Sequence, residues 1–284
     1  MNGQTVGVLG LGGSGVAAVN ALQAAGAHVV AFDDGNGQRD LRAIHLTDWR
    51  DWPWQDMSAM VISPGIPHLH PKPHPAATHA KRSKIEVISE VEVALRAKPQ
   101  AQLVVVTGTN GKSTTTALIG HCLATAGRAH AIGGNLGDPA CSLEDPGKDG
   151  VLVLELSSYQ LETTPSLAPD ISILLNISPD HLDRHGGMNG YIAAKAVVLD
   201  RLRSDCLAII GDGDEHVKTL AAATRRRGVK TVIANPNGAP EGQRHSESLA
   251  GLHNAENAAA AAFALAALGL DIETKTEEES PERL

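Results

Sequence analysis

The feature that most constrains this chain is the alternation of short, continuously apolar runs with helical stretches. Runs such as Leu103–Thr107 and Val151–Glu155 are rich in Val and Leu. They lack the alternation of apolar and polar residues that a strand with one solvent-exposed face shows. Strands of that kind are typical of parallel sheets covered by helices on both faces. The pattern therefore predicts an α/β fold. The predicted strands are Thr5–Leu9, His28–Phe32, Ala59–Ile62, Leu103–Thr107, Val151–Glu155, Ile171–Asn176, Cys206–Ile210 and Lys230–Ala234; the predicted helices include Val16–Ala25, Lys112–Ala126, Tyr191–Arg203, Glu215–Arg227 and Asn254–Leu268.

Composition excludes several classes of function. The apolar fraction of 42% is sufficient for a sizeable core, and the net charge of -8 carries no extended basic patch, so we expect no nucleic-acid partner. The longest apolar run, Ala258–Leu268, is too short to cross a bilayer, and no signal peptide is apparent. The three cysteines are far apart, which favours a reducing cytosol, and we expect a cytoplasmic monomer.

The length of 284 residues favours two domains. A polar, proline-containing stretch at Arg96–Gln102 precedes a fresh strand–loop–helix unit, so we place a domain boundary there. The predicted division is a first domain over residues 1–96, a second over 97–270 and a charged tail over 271–284. The Pro- and His-rich stretch Pro64–Pro75 is predicted to be a loop, because repeated proline removes backbone donors.

The first glycine cluster, Gly10–Gly15, fits the pattern G-x-G-x-x-G between a strand and a helix. Such a turn lets backbone approach a phosphate, and the helix N-terminus supplies free N–H groups. Asp33 ends the second strand, where an acid would meet a ribose hydroxyl in a dinucleotide fold. The motif alone leaves open an NAD site and a tight turn without a ligand. The first domain is accordingly predicted to be Rossmann-like.

The second glycine cluster is the strongest local signal in the chain. Thr107–Thr114 reads TGTNGKST after a buried-type strand, with the Gly-Lys-Ser ending of a P-loop but with Val106 in place of its usual first glycine. Backbone N–H groups of Asn110 to Ser113 would surround phosphate oxygens, Lys112 would neutralise charge and Ser113 would bind Mg²⁺. The second domain is therefore predicted to be a P-loop-type parallel-sheet domain that binds ATP and Mg²⁺.

Two further strand ends carry polar groups that suit a metal–triphosphate site. Glu155 ends one buried-type strand, and Asn176–His185 follows the next. Ligands of α/β proteins bind at the carboxyl ends of strands, and Mg²⁺ prefers oxygen ligands. Glu155 is thus a predicted metal ligand, and His181 a candidate for a second metal, with Asp180 and Asp183 able to orient it. An ordinary strand-end acid and a polar surface loop remain alternatives.

Taken together, these segments resemble the Mur ligase family. The motifs that carry the resemblance are Thr107–Thr115, Gly133–Gly137, Glu155–Glu162 (ELSSYQLE), Asn176–His185 and Leu249–Ala261, together with the first glycine cluster and Ser63–Ile66. The resemblance covers nearly the whole chain to about Leu270. The stretch ELSSYQLE is similar to the member that adds D-glutamate, and less like members acting on other muramoyl peptides or folates.

The resemblance implies a role for each matching position. Ser14, Asp33, Ser63, Pro64 and Gly65 match segments that hold the UDP part of the substrate, so the first glycine loop would cradle a substrate diphosphate. Asn135 and Gln160 match positions near the muramoyl group. The implied metal ligands are Ser113 and Glu155 for one Mg²⁺, and His181 with Lys195, carbamylated by CO₂, for a second. The implied ATP-binding residues are Gly108, Thr109, Asn110, Gly111, Lys112, Ser113, Thr114, Asn254 and Asn257, and the implied catalytic residues are Lys112, His181 and Lys195.

The implied reaction joins D-glutamate to UDP-N-acetylmuramoyl-L-alanine through an acyl phosphate made with ATP, a step of peptidoglycan precursor synthesis. Members of the family continue for a further domain of about 150 residues, as is typical of one domain. The chain is therefore expected to bind its ligands weakly and to ligate poorly or not at all. Two other classes stay open: an NAD-binding oxidoreductase and a non-catalytic nucleotide-binding fragment.

Overall fold

A computed structural model describes residues 1–35, 47–240 and 251–270. The charged tail predicted for residues 271–284, and Leu249 at the start of one family motif, lie outside the described residues. The described chain forms two parallel sheets, each flanked by helices. None of the helices within these ranges is long and apolar enough to span a membrane.

The first sheet has four strands in the order β2-β1-β3-β4, and every adjacent pair is parallel. Its strands are β1 (Thr5–Leu9), β2 (His28–Phe32), β3 (Met57–Ile62) and β4 (Glu86–Ile88). Its helices are α1 (Gly13–Ala24), α2 (Pro75–Arg82) and α3 (Glu90–Arg96), with a 3₁₀ turn at Trp49–Asp51.

The second sheet has six parallel strands in the order β10-β9-β8-β5-β7-β6. Its strands are β5 (Gln102–Thr107), β6 (His130–Gly134), β7 (Val151–Glu155), β8 (Ile171–Leu174), β9 (Leu207–Gly211) and β10 (Lys230–Ala234). Its helices are α4 (Lys112–Thr125), α5 (Ser158–Glu162), α6 (Met188–Asp200), α7 (Glu215–Arg226) and α8 (Leu252–Ala267). Short 3₁₀ turns lie at Ala140–Ser142, Leu182–His185 and Pro236–Gly238.

Alternate residues of the central strands supply two cores, one on each face of the second sheet. Val104 and Val106 of β5 pack in the same cluster as Ile119 of α4 and Ala260 of α8. Val105, on the opposite face, packs in the cluster that contains helices α6 and α7. Each fully buried Val, Leu or Ile contributes roughly 1.5–3 kcal/mol. Because both faces are covered, the strands must be apolar throughout, which is the pattern that predicted the α/β fold.

The predicted fold class is confirmed, with local differences at the ends of elements. The strand predicted as Ile171–Asn176 ends at Leu174, and the one predicted as Cys206–Ile210 runs from Leu207 to Gly211. Strands β4 and β6 were absent from the prediction because β4 has only three residues and β6, HAIGG, ends in two glycines. The predicted loop Pro64–Pro75 ends where Pro75 begins α2, a position that proline tolerates because its missing N–H would be unpaired there. The predicted domain boundary at Arg96–Gln102 falls between the two sheets and stays a prediction.

Helix α3 ties the chain of the first sheet to the chain of the second. Ser89 donates its N–H to Thr163 O at 2.8 Å, and its hydroxyl lies 2.7 Å from Thr164 Oγ1. The buried carboxylate of Glu92 accepts both the N–H and the hydroxyl of Ser166, at 2.8 and 2.7 Å. These bonds, of which the two to Glu92 are charge-assisted, join α3 to the segment between α5 and β8.

Candidate functional site

The second glycine loop joins β5 to α4 and leaves the first turn of that helix without a side-chain cap. Gly111 has a φ of 85°, and a Cβ atom built on it would lie 2.2 Å from Asn257 Oδ1 on α8. The positive φ favours glycine here, and any other residue would also have to displace the Asn257 side chain. The uncapped N–H groups and the positive end of the helix dipole make this turn suitable for a phosphate group.

Two lysines converge on one carbonyl oxygen of the loop. Lys112 Nζ donates to Gly108 O at 3.1 Å and to Thr109 O at 3.0 Å. Lys195 Nζ, from α6, donates to the same Gly108 O at 2.7 Å. Lys112 thus places a positive charge beside the loop, which an anionic ligand would neutralise.

Lys195 is almost fully buried, with 2% of its surface exposed. Burial, followed by the nearby positive charge of Lys112, lowers the pKa of Lys195 to about 7, while Asp180 opposes the shift. The ammonium also lies 4.9 Å from the centre of the Tyr191 ring. A lysine in this setting holds a substantial neutral fraction near neutral pH, as a nucleophilic amine requires.

Glu155 ends β7 beside the loop and is buried, with 2% of its surface exposed. It pairs in register with Val106 of β5, and it lies two residues beyond Val153, which faces α4. Since strand side chains alternate between faces, Glu155 lies on the same face as the start of α4, where Lys112 and Ser113 are. Asn135 Nδ2 donates to Glu155 Oε1 at 3.1 Å.

His181 follows β8, the strand on the other side of β5. Its backbone is left-handed, with a φ of 49°, and its side chain is 56% exposed beside Asp180, 3.5 Å away. The strand order β8-β5-β7 thus places His181, Lys112 and Glu155 at the carboxyl ends of three adjacent strands. The residues predicted to act together come to one edge of the sheet.

The segment that carries His181 is tied directly to the glycine loop. Asn176 and Asn110 exchange two hydrogen bonds, Asn110 N–H to Asn176 Oδ1 at 2.8 Å and Asn176 Nδ2 to Asn110 O at 3.1 Å. Ser178 N–H donates to Thr109 Oγ1 at 3.0 Å, and the Tyr191 hydroxyl lies 3.0 Å from the same oxygen. Asn176 and Tyr191 were not among the predicted site residues. The N–H of Asn110, predicted to face phosphate, is directed to Asn176.

The donor set fits one Mg²⁺ ion better than a purely protein-made metal cage. Among the described residues, no group of three or more His, Cys, Asp or Glu side chains gathers as a metal cluster. Ser113 and Glu155 supply two hard oxygen donors beside the loop, and Mg²⁺ sites of this type complete their shell with water and phosphate oxygens. His181 and an unmodified Lys195 do not form a second oxygen site; carbamylation would make Lys195 an oxygen ligand.

A cavity of about 400 Å³ opens beside the loop. It is lined by predicted ATP-binding residues of the loop and of α8, among them Asn110, Gly111, Thr114, Asn254 and Asn257. Asn257 Nδ2 lies 3.5 Å from Asn254 Oδ1, so the two amides share one face of α8 as their spacing predicts. The cavity has room for a purine next to the phosphate-binding turn.

The first glycine loop uses its polar neighbours differently. Asp33 accepts the N–H of Leu11 and, at 2.7 Å, that of Gly35. The Ser63 hydroxyl donates to Gly10 O at 2.9 Å. A Cβ atom on Gly15 would lie 1.9 Å from Gly10 O, whereas a Cβ atom on Gly12 would meet nothing within 4 Å. Gly15 is thus required by packing, and open space remains in front of Gly12 and Gly13, near the uncapped start of α1.

The residues predicted near a muramoyl group have different surroundings. Asn135 lies against Glu155, as described above. Gln160 is buried in the capping box of α5, where its Oε1 accepts the N–H of Ser157 at 2.9 Å and the Ser157 hydroxyl at 2.8 Å. The Gln160 Nε2 atom is buried without a hydrogen-bond partner. Pro64 and Gly65 direct their carbonyl oxygens to Arg184, a residue that sequence reasoning did not select.

Comparison with known proteins identifies the family. Residues 106–265 match the Mur ligase middle domain. The chain belongs to the Mur ligase family. It is 44% identical to the UDP-N-acetylmuramoylalanine–D-glutamate ligase of Paramagnetospirillum magneticum over 95% of this chain and 64% of that protein. It is 42% identical to the ligase of the same name from Caulobacter sp. strain K31, over 94% of this chain and 64% of that protein. The chain thus spans 64% of the length of these relatives.

Solved structures share the fold at lower sequence identity. A UDP-N-acetylmuramate:L-alanyl-gamma-D-glutamyl-meso-diaminopimelate ligase from Neisseria meningitides aligns with a TM-score of 0.65 at 17% identity, covering 95% of each chain. The UDP-N-acetylmuramate–alanine ligase of Thermotoga maritima aligns with a TM-score of 0.55 at 22% identity, over 94% of this chain and 66% of that one. These likenesses show that the α/β architecture is that of Mur ligases.

Proposed function

We propose that this chain provides the ATP- and substrate-binding parts of a ligase that joins D-glutamate to UDP-N-acetylmuramoyl-L-alanine in peptidoglycan precursor synthesis. The observation that carries the proposal is the convergence of Lys112 and Lys195 on Gly108 O, with Glu155 at the end of the neighbouring strand. The names of the two relatives, together with the ELSSYQLE stretch that begins at Glu155, support the choice of substrates.

In the proposed first step, a carboxylate oxygen of the UDP substrate attacks the γ-phosphorus of ATP. An oxygen–phosphorus bond forms, the bond to ADP breaks, and an acyl phosphate results. Lys112 would hold the β- and γ-phosphates, and the N–H groups at the start of α4 would bind phosphate oxygens, so that two anions can approach each other. Mg²⁺ held by Ser113 and Glu155 would supply charge neutralisation when bound.

In the proposed second step, the amine of D-glutamate attacks the acyl carbon, phosphate leaves, and the nitrogen loses a proton as the amide forms. Phosphorylation converts a poor acyl donor into a reactive one, which accounts for the use of ATP. The amides of Asn254 and Asn257 would face the adenine in the cavity beside Gly111. Ser14, Asp33, Ser63, Pro64 and Gly65 would hold the UDP group, and Asn135 and Gln160 the muramoyl group.

We also propose that Lys195 carries a carbamate in the active form. Its amine is buried beside Gly108 O, and the lowered pKa leaves a neutral lone pair that can attack CO₂, forming a nitrogen–carbon bond and releasing a proton. The product is an anion whose oxygens would join His181 as ligands of a second Mg²⁺. Incubation with ¹³C-bicarbonate should give a carbamate carbon resonance that is missing in Lys195→Met; its presence in both proteins would refute this assignment.

The remaining parts of the proposal concern setting and organisation. We propose a substrate domain over residues 1–96 and an ATP domain over 97–270, acting as a monomer in the cytoplasm. The three free thiols, Cys122, Cys141 and Cys206, suit a reducing compartment.

Isothermal titration with ATP–Mg²⁺, UDP-N-acetylmuramoyl-L-alanine and NADH tests the proposal. We expect the first two compounds to bind with one site each and NADH to give no heat. Binding of NADH without binding of the UDP compound would end the ligase proposal. Binding of ATP alone would indicate a nucleotide-binding fragment. A parallel amide-forming assay with D-glutamate and ATP tests the proposed reaction.

A further inference from the structure

Arg184 connects the chain of the first sheet to the site of the second. It lies in the 3₁₀ turn Leu182–His185, and its N–H donates to His181 O at 3.0 Å. Its guanidinium reaches across to the segment after β3, where Nη2 donates to Pro64 O and Nη1 to Gly65 O, each at 3.2 Å. These partners are 120 and 119 positions away in the sequence. Arg184 therefore contacts the proposed substrate segment through its side chain and His181, a proposed metal ligand, through its backbone.

Tyr159 supports the guanidinium on the side of the second sheet. The Arg184 Cζ atom lies 4.5 Å from the centre of the Tyr159 ring, an arrangement that attracts a cation to an aromatic face. The same ring stacks on His185, with centres 5.1 Å apart and planes 7° apart, and lies 5.6 Å from the His181 ring. Arg184, Tyr159 and His181 thus share one set of ring contacts.

The platform beneath this stack is held rigidly. The His185 side chain is buried, with Nε2 at 2.9 Å from the Ser158 hydroxyl and Nδ1 at 3.0 Å from Glu162 Oε1. Glu162 also lies 3.6 Å from His68 Nε2, a residue of the loop after β3. A ring fixed on both nitrogens cannot rotate freely, so the Tyr159 ring stacked on it has a defined position.

A planar guanidinium is suited to bridge two adjacent carbonyl groups. It keeps its charge at all relevant pH values and presents donors in a fixed fork, whereas a lysine offers one flexible ammonium. Here Nη1 and Nη2 each contact a different carbonyl, so the orientation of the Ser63–Pro64–Gly65 peptide follows the orientation of Arg184. The Nε atom of Arg184 is buried without a partner, which costs stability and indicates that packing against Tyr159 sets the pose of the side chain.

We infer that Arg184 is a positioning residue: it holds the Ser63–Pro64–Gly65 segment against Tyr159 and His181, and so sets the distance between the bound UDP substrate and the phosphate-binding loop. The inference rests on the proposed function for the identity of the substrate. Arg184 acts through the carbonyls of Pro64 and Gly65. Its loss should weaken binding of the UDP substrate selectively, because Arg184 contacts Pro64, Gly65 and Tyr159, which lie outside the second glycine loop.

The direct test compares two ligands in folded variants of the chain. In Arg184→Ala we expect the Kd for UDP-N-acetylmuramoyl-L-alanine to rise roughly tenfold, a loss of one hydrogen-bonded anchor, while the Kd for ATP–Mg²⁺ changes less than about twofold. Arg184→Lys should recover part of the loss. Arg203→Ala, which removes an exposed arginine paired with Asp205, is the matched control and should change neither Kd. Equal weakening of both ligands, or an unchanged Kd for the UDP compound, would overturn the inference.

A second measurement needs no ligand and separates this inference from the proposed function. Hydrogen exchange of the Ile66 amide, which donates to Ser63 O, should be faster in Arg184→Ala and in Tyr159→Leu, and near the normal rate in Tyr159→Phe. If the unaltered chain fails to bind the UDP compound, the substrate assignment falls, yet exchange still decides the positioning role. If Arg184→Ala does not fold, Arg184→Lys carries both measurements. Exchange at Ile66 unaffected by every substitution would refute the positioning role.

Discussion

The two glycine loops of this chain use the same backbone arrangement and differ in the charges around it. The first loop follows β1 and the second follows β5, each an interior strand of its sheet. Each loop leads into a helix that has no side-chain cap. The first loop donates a backbone N–H to the carboxylate of Asp33 and accepts a hydroxyl from Ser63. In the second loop, Gly108 O instead accepts hydrogen bonds from the side-chain nitrogens of Lys112 and Lys195.

The comparison indicates that a glycine-rich turn allows a ligand to approach the backbone closely, whereas the neighbouring side chains determine which ligand charge is favoured. Because Asp33 adds a negative charge beside the first loop, a ligand there would be held mainly by backbone N–H and hydroxyl groups, as suits a substrate diphosphate. Lys112 beside the second loop suits the larger charge of a triphosphate. The first loop alone does not distinguish the diphosphate of a UDP compound from that of NAD, but an NAD-binding oxidoreductase would leave the charged second loop without a role.

The largest effect should come from removing the loop ammonium. Lys112→Met is expected to weaken ATP–Mg²⁺ binding by about 100-fold or more, because the β- and γ-phosphates would lose their charged hydrogen-bond partner. Binding of the UDP compound should stay within about twofold. Lys218→Met, at an exposed lysine of α7, is the control. An equal rise in the Kd of both ligands would show that the two loops do not bind them separately.

Gly111→Ala should have the next largest effect. The methyl group would meet Asn257 Oδ1 at 2.2 Å, at a backbone φ of 85°. We expect a loss of about 2–3 kcal/mol in the free energy of unfolding, from strain at the positive φ and from displacement of the Asn257 side chain, together with weaker ATP binding. Urea unfolding followed by circular dichroism measures the first change. A variant as stable as the unaltered chain would show that this position tolerates a side chain.

The buried lysine should give the second loop a pH response. Because the pKa of Lys195 falls from 10.5 in the unfolded chain to about 7 in the fold, the unfolded chain binds more protons between these values. Stability contributed through this group therefore rises as pH increases from 7 towards 10.5, and below pH 7 the cost of the buried charge is fully present.

Lys195→Met should remove that cost. We expect the variant to be more stable than the unaltered chain at pH 6 by on the order of 2 kcal/mol, with the difference shrinking as pH rises to 9.5. Urea titrations at the two pH values measure it, with Lys218→Met as the control. A variant less stable at pH 6 than the unaltered chain would mean that the amine is not buried as a cation.

The smallest effect on stability should come from the first loop. A methyl group on Gly12 meets nothing within 4 Å, so Gly12→Ala should change the free energy of unfolding by less than about 1 kcal/mol. The same methyl group would occupy the open space where the proposed diphosphate lies, so the Kd for the UDP compound should rise severalfold while the Kd for ATP does not change. Unaltered affinity for the UDP compound would place that ligand elsewhere.

Sequence patterns predicted what depends on local periodicity and on strand ends. Apolar runs predicted eight of the strands because both faces of each sheet are covered, and the strand-end rule predicted that Glu155, Lys112 and the His181 segment would meet at one edge. Strand β6 was not predicted because its two adjacent glycines are typical of a loop. The Ser157-x-x-Gln160 spacing is a capping-box signal that was present in the sequence and was not used.

Contacts between distant segments had no signal in the sequence. The pairing of Asn110 with Asn176 depends on β5 and β8 lying side by side in the second sheet. The contact of Arg184 with Pro64 depends on how the two sheets pack. Neither periodicity nor propensity specifies these arrangements. Sequence patterns also gave no signal for the second lysine at Gly108 O, since nothing in the local sequence distinguishes Lys195 from an exposed lysine on a helix. Family resemblance selected Lys195, and the structure supplies its surroundings.

The two glycine loops are proposed to bind two different ligands. Hydrogen exchange with mass analysis of the chain, alone and with each ligand, measures which loop each ligand protects. We predict that ATP–Mg²⁺ slows exchange at residues 108–114 and that UDP-N-acetylmuramoyl-L-alanine slows it at residues 10–16 and 63–66, with NADH slowing neither. Protection of residues 10–16 by NADH, or of residues 108–114 by both compounds, would contradict the account.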